Sequence, residues 1–96
     1  MDIEIYEGDR AALLPLFALA DDSPSAVAAY MALGEVLVAR DGAVVVAHAQ
    51  IVATAEPDTL ELKSLAVLEP RQSQGVGRDL VAATAARCRD RGARRL

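Results

Sequence analysis

The sequence contains few aromatic residues and almost no cysteine or histidine. Aromatic residues make up 3% of the 96 positions, tryptophan is absent, and Cys88 and His48 are each the sole residue of their type. A single cysteine excludes an internal disulfide and is typical of a reducing compartment. Because hydrophobic residues still make up 53% of the chain, it can form a core, built mainly from alanine, valine and leucine.

Long apolar runs are also missing. No stretch approaches the roughly 20 consecutive apolar residues that a bilayer-spanning helix needs, and the acidic start Met1-Asp2-Ile3-Glu4 is unlike a secretory signal peptide. A length of 96 residues lies near the lower end of the usual domain size. We therefore expect a single domain over residues 1–96 of a cytoplasmic protein, with no membrane partner and no metal site.

The formal net charge of −4 hides an asymmetry. Residues 1–60 carry ten acidic residues and two arginines, whereas residues 61–96 carry eight basic and four acidic residues. The C-terminal third therefore favours anionic ligands and the rest cationic ones. Five arginines at positions 87, 89, 91, 94 and 95 suggest nucleic acid, but no aromatic residue is interleaved to stack on bases. We interpret them as a solvated helix face and expect no nucleic-acid partner.

Apolar periodicity predicts an α/β (α+β) chain with the element order β-α-α-β-β-β-α. In the first half, the expected elements are a strand at residues 3–6, a helix that Pro15 kinks or delays beyond Asp9, and a helix capped by Ser23 and ended by Gly34. In the second half, they are a hairpin around Asp41-Gly42 whose second arm reaches Ala53, a strand at 60–68, and a helix at 75–91 with Gly92 as its C′ residue.

The segment Gln72-Ser73-Gln74-Gly75-Val76-Gly77-Arg78 lies between the last predicted strand and the last predicted helix. Two glycines in a polar loop let a ligand approach the backbone closely. The helix that follows directs unpaired N–H groups and its positive dipole end at the same place. A strand, a glycine turn and a helix N-terminus together predict an anion site, typically for phosphate or pyrophosphate.

Two common phosphate-binding motifs do not fit this loop. The dinucleotide-binding fingerprint requires a third glycine or alanine at position 80, which is Leu80, and its strand usually opens the domain. A Walker A loop requires Gly-Lys-Ser/Thr, which is absent. What remains is Gln72-x-x-Gly75-x-Gly77 preceded by Leu65-Ala66-Val67-Leu68-Glu69-Pro70.

That combination resembles the GNAT superfamily of acetyl-CoA-dependent N-acetyltransferases. Members carry Gln/Arg-x-x-Gly-x-Gly/Ala at the start of a helix, after a strand that often ends in a Leu-Ala-Val-x-Pro-like run. The element order before the motif agrees as well, so the resemblance spans essentially the whole chain. It implies a GNAT-like mixed sheet and transfer of an acetyl group from acetyl-CoA to a primary amine of a small molecule or a protein.

The resemblance also implies a set of cofactor-binding residues. The backbone around Leu65, Ala66 and Val67 would hydrogen-bond the pantetheine arm as an added strand does. Either Arg71 or Arg78 would add charge-assisted contacts to phosphate oxygens. The pyrophosphate would be wrapped by the amides of Gln72, Ser73, Gln74, Gly75, Val76, Gly77 and Arg78.

Candidate catalytic and acceptor-binding residues follow from the same resemblance. Glu61 corresponds to a glutamate that removes a proton from the amine in some members, although a solvent-facing carboxylate fits the same position. Tyr30, with Asp21 and Asp22, falls where the family lines its acceptor pocket, and acidic residues there suit a cationic amine.

His48 fits a hydrogen-bonded structural role better than a relay, and the spacing of Cys88 indicates core packing.

Complete members of the superfamily continue past the last helix with a strand, a helix and two more strands. The added helix often carries a tyrosine that protonates the leaving thiolate, and neither tyrosine of this chain occupies that position. We expect an N-terminal portion: a truncated enzyme, or a chain that pairs with a second polypeptide, or a self-associating homo-oligomeric remnant. Truncation is favoured. The alternative function is a non-catalytic coenzyme A-binding or assembly module.

Overall fold

The computed structural model describes residues 1–94 and 96. Arg95, one of the five C-terminal arginines, lies outside the described residues. The predicted element order is confirmed. The strands are β1 (Asp2–Ile5), β2 (Glu35–Asp41), β3 (Val44–Ala53) and β4 (Leu60–Val67), and the α-helices are α1 (Leu14–Ala20), α2 (Pro24–Tyr30) and α3 (Val76–Asp90), with short 3₁₀ helices at Arg10–Leu13 and Glu69–Arg71.

The first two helices begin where capping chemistry predicts. Asp9 accepts a hydrogen bond from the Ala11 amide and opens the 3₁₀ turn, while Pro15 lies in the first turn of α1, so the delayed start is confirmed. Ser23 accepts from the Ala26 amide, and Pro24 is the first residue of α2. None of the described helices is both long enough and apolar enough to cross a membrane.

The prediction that Gly34 ends α2 is wrong, because α2 ends at Tyr30. The Gln50 side-chain amide donates to the carbonyls of Tyr30 (2.8 Å) and Leu33 (2.9 Å) and holds the loop after the helix. Gly34 has φ +60°, and a Cβ there would lie 2.0 Å from the Ile51 carbonyl oxygen. Glycine is therefore required by the close approach of this loop to β3, not by a helix terminus.

The four strands form one sheet in the order β1-β2-β3-β4, and all the described pairs are antiparallel. Gln50 pairs with Ser64 and Ile51 pairs with Leu62, which leaves Lys63 as an extra residue in β4. After α3, the Arg94 amide donates to the Asp58 carbonyl 2.8 Å away. The chain thus returns to the start of β4 after α3.

Helices cover both faces of the sheet. On one face, Phe17 of α1 and Tyr30 of α2 are packed with Val36, Val38 and Ala66 in a buried cluster. On the other face, the buried side chains are Leu37, Ala39, Val46, Ala47, Ala49, Val76 and Leu80, the last two from α3. Since α3 packs against β2, β3 and β4, its N-terminus is held at the end of β4.

Candidate functional site

A groove of about 310 Å³ runs along the outer edge of β4 near its end. It is lined by Leu19, Leu65, Ala66, Val67 and Gln72. Because β4 pairs with β3 on one side and is last in the sheet order, the main chain on its other side faces the groove. The three β4 residues predicted to contact pantetheine therefore lie together, beside the loop that precedes α3.

The loop from β4 to α3 is held by hydrogen bonds of its own. The Leu68 carbonyl accepts from the Arg71 amide (2.8 Å), and the Glu69 carbonyl accepts from the Gln72 amide (3.1 Å). The Gln72 side chain reaches back and donates to the Val67 carbonyl at 3.0 Å. Sequence reasoning assigned only the amide of Gln72 to the site and missed this bond, which fixes the loop against the strand.

Two residues of this loop have left-handed backbones, Ser73 (φ 68°) and Gly75 (φ 81°). Such reversals turn successive amides toward one side and form anion-binding concavities. Gly75 is the N-cap of α3 and has no side-chain cap, and the first amide bonded back to it is that of Asp79, 3.0 Å from the Gly75 carbonyl. The amides of Val76 to Arg78 consequently have no intrahelical acceptor, and they coincide with the positive end of the helix dipole.

The structure requires glycine at only one of the two glycine positions of the motif. Gly75 requires a positive φ, and a Cβ there would lie 2.8 Å from the Arg78 guanidinium. Gly77 lies inside α3, where a Cβ would meet only Cγ2 of Val67 at 3.5 Å, an ordinary van der Waals distance. The fold alone therefore does not demand glycine at position 77.

The two candidate phosphate-binding arginines are in different situations. Arg71 forms an ion pair with Asp41 at the β2–β3 turn. The Arg78 side chain is 83% exposed, next to the loop, and its nearest carboxylate is Asp79 at 3.6 Å. Arg78 is thus the arginine with donors available to an anion at the loop, whereas Arg71 mainly joins the loop to the hairpin.

Glu61 lies four residues before Leu65 on β4, roughly 13 Å away along the strand. It is exposed, pairs across the ladder with Val52, and forms no side-chain hydrogen bond or ion pair within the described part of the chain. It borders a second groove of about 540 Å³, which Thr54, Thr59, Leu60, Leu62 and Leu96 also line. The carboxylate is accessible to solvent, as a base acting through water would be.

Two of the three predicted acceptor residues, Tyr30 and Asp21, are joined by a hydrogen bond. The Tyr30 hydroxyl donates to Oδ2 of Asp21 at 3.0 Å, and burial together with this carboxylate raises the pKa of Tyr30. Asp21 and Asp22 both border an apolar cleft of about 450 Å³ between α1 and α2, whereas Tyr30 is buried behind it and does not line it. Sequence reasoning missed Lys63, whose Nζ lies 5.0 Å from the centroid of the Tyr30 ring.

His48, a residue of β3, is fully buried on the sheet face that α1 covers. Its Nε2 lies 2.7 Å from the Ser64 hydroxyl and its ring centroid lies 4.4 Å from that of Phe17. Burial lowers the pKa of His48 to about 4, so the imidazole is neutral at physiological pH. This environment is that of a structural histidine. Cys88 is buried on α3, and among the described residues no cluster of histidine, cysteine and carboxylate side chains could hold a metal ion.

Comparison with known proteins gives a consistent result. The family model described as "Acetyltransferase (GNAT) family" matches residues 5–96. An acetyltransferase from Bacillus subtilis, solved in complex with CoA, superposes with a TM-score of 0.84 at 32% identity, over 95% of this chain and 59% of that one. The IAA acetyltransferase from Bacillus cereus gives a TM-score of 0.82 at 28% identity, over 95% of this chain and 61% of that one.

A GNAT family acetyltransferase from Elizabethkingia anophelis, solved with acetyl-CoA bound, has the same fold, with a TM-score of 0.82 at 24% identity over 93% of this chain and 57% of that one. A search of curated proteins found no match. The chain spans about 60% of the length of the solved structures it resembles. Since the family model covers almost the entire sequence, this chain belongs to the GNAT acetyltransferase family.

Proposed function

We propose that this chain is the acetyl-CoA-binding portion of an N-acetyltransferase that acetylates a primary amine of a small molecule or a protein. The observation that carries the proposal is the uncapped N-terminus of α3, whose free amides lie beside the exposed edge of β4. The B. subtilis relative was solved with CoA and the E. anophelis relative with acetyl-CoA. A cytoplasmic location, expected from the single unpaired Cys88, is part of the same proposal.

Neighbouring segments of the chain would bind successive parts of coenzyme A. The turn from Gln72 to Gly75 and the first amides of α3 would receive the pyrophosphate, with Arg78 adding a guanidinium contact. The outward main chain of residues 65–67 would pair with the amides of the pantetheine arm. The space that a Cβ at Gly77 would fill is left open at the same loop.

Bound acetyl-CoA would supply an activated acyl thioester. Glu61 would accept the proton of the attacking amine directly or through water, and its lack of a partner among the described residues leaves its lone pairs available. Asp21 and Asp22, with no arginine or lysine within ion-pair distance in the described chain, would attract a cationic amine.

Calorimetric titration with coenzyme A tests the proposal. We expect saturable binding of coenzyme A and acetyl-CoA, and greatly weakened binding of pantetheine, which lacks the pyrophosphate. Thiol release with a panel of amines is then measured on the same protein. Binding without thiol release would favour the alternative, a non-catalytic coenzyme A-binding or assembly module, which the 60% span relative to the solved relatives keeps open. Equal affinity for pantetheine and coenzyme A would contradict the loop assignment.

A further inference from the structure

Lys63 is the only lysine in the sequence and the extra residue in the bulge of β4. Because Ser64 pairs with Gln50 while Leu62 pairs with Ile51, the strand accommodates one residue more than β3 at this point. The bulge turns the Lys63 side chain over the ring of Tyr30, on the sheet face that α1 and α2 cover. The only ammonium side chain of the protein is thus placed between Glu61 and the pantetheine groove.

The contact with Tyr30 leaves the ammonium group available. Lys63 forms no ion pair and donates no hydrogen bond within the described part of the chain, and its charge is stabilised by the aromatic face instead. The Tyr30 hydroxyl donates to Asp21, which increases the electron density of that ring. Asp21, Tyr30 and Lys63 therefore form a stack that positions the cation without occupying its N–H donors.

Charges of opposite sign now lie at neighbouring positions of β4. Glu61 and Lys63 are both exposed and lie two positions apart, roughly 7 Å along the strand. Neither is within ion-pair distance of the other. A ligand that carries an amine and an anionic group a few ångströms apart could place its amine at Glu61 and its anionic group at Lys63.

We propose that Lys63 is a specificity-determining residue and that the acceptor is an amine bearing a carboxylate, such as an amino acid, whose carboxylate Lys63 binds. This inference rests on the proposed function, since it places the acceptor beside the acetyl donor. Lys63 meets the carboxylate through charge-assisted hydrogen bonds, while Glu61 faces the amine. Like-charge repulsion from Lys63 disfavours polyamines without a carboxylate.

The single lysine provides a direct experiment. Reductive ¹³C-methylation retains the charge and labels two amino groups, Lys63 and the N-terminus. The protein loaded with coenzyme A is titrated with matched pairs: L-phenylalanine and 2-phenylethylamine, L-lysine and 1,5-diaminopentane, glycine and methylamine. The Lys63 signal should shift saturably with the amino acids only, while the N-terminal signal stays in place. No shift with any amino acid, or equal shifts within every pair, overturns the proposal.

Variants give a second, independent readout. Lys63→Met should weaken amino acid binding about tenfold, while Lys63→Arg, which preserves the charge, keeps it. Coenzyme A affinity should be the same in the wild-type protein and both variants. Failure of the wild-type protein to bind coenzyme A would contradict the proposed function itself. Normal coenzyme A binding with unchanged amino acid binding in Lys63→Met would contradict only the role of Lys63.

Discussion

Arg87 of α3 donates two hydrogen bonds to the carboxylate of Glu35 at the start of β2, from Nε at 2.6 Å and from a terminal nitrogen at 3.0 Å. This bidentate pair joins the C-terminal end of α3 to a strand that precedes it by 52 positions. Since the N-terminus of the same helix forms the candidate anion site, the pair helps to fix the direction of the helix dipole.

Glu35→Gln should lower the melting temperature by a few degrees at pH 7. The hydrogen bonds from Arg87 outweigh burial and lower the pKa of Glu35 below 4.5. The ion pair therefore stabilises the fold fully at a pH above the pKa of Glu35 in the unfolded chain. This stabilisation is lost as the pH falls through the pKa of Glu35 in the folded protein. Thermal melts at pH 7 and pH 3 measure this. The difference in melting temperature between the variant and the wild type should therefore be smaller at pH 3 than at pH 7, and Glu7→Gln, at an exposed position, is the matched control.

Acidification should destabilise the protein through His48 before most carboxylates titrate. Burial depresses the pKa of this imidazole from 6.5 to about 4. Between these two pH values His48 is therefore protonated in the unfolded chain and neutral in the folded one. Stability is then maximal above pH 6.5 and falls by about 3 kcal/mol by pH 4. Because His48 is the only histidine, one imidazole NMR signal reports its titration. A midpoint near 6.5 would contradict burial of the neutral ring.

Arg10→Lys should destabilise the fold by about 1–2 kcal/mol. The Arg10 guanidinium donates to three carbonyls after α2, those of Met31 (2.9 Å), Leu33 (3.0 Å) and Gly34 (2.9 Å). A lysine ammonium cannot span all three. Urea unfolding of the variant should show a lower midpoint with an unchanged slope. Arg89→Lys, on the exposed side of α3, is the control and should leave the midpoint unchanged.

The sequence predicts the elements well where the signals are local. Ser23-Pro24 starts α2 and the period-2 strands pair as expected, because capping and alternation depend on near neighbours. Sequence-based prediction fails where the interacting residues are far apart in the chain. Gly34 was interpreted as a helix end although β3 is what demands it, and the bulge at Lys63 depends on a register between two strands. The contact of Lys63 with Tyr30 could not be found from spacing, since 33 positions separate them.

The candidate anion site illustrates the same distinction. Gln72-x-x-Gly75-x-Gly77 identifies the loop, because positive φ and unpaired helix amides are local properties. The pairing of Arg71 with Asp41 across the hairpin is not local, and only the structure separates Arg71 from Arg78 as a source of free donors.

Gly75→Glu should abolish coenzyme A binding. The new carboxylate would lie at the loop amides that the pyrophosphate needs, and it would attract the Arg78 guanidinium. Gly92→Glu is a matched control, because Gly92 has nearly the same φ (+82° against +81°) at the other end of α3, with open space around it. Both variants should lose similar stability, about 1–2 kcal/mol. Binding retained by Gly75→Glu, or lost equally by Gly92→Glu, would remove the loop from the site.

Glu61→Gln should reduce acetyl transfer by about 10²-fold or more while leaving coenzyme A affinity unchanged, because glutamine keeps the shape of the side chain but cannot accept the proton. The substitution lies on β4 outside the groove formed with Leu65, Ala66 and Val67, so the donor site should not sense it. Glu56→Gln, in the exposed β3–β4 turn, is the control for a change of net charge. Separate measurement of kcat and KM distinguishes catalysis from electrostatic attraction. Loss of a catalytic base lowers kcat, whereas loss of a carboxylate that only attracts the amine would raise KM and leave kcat intact.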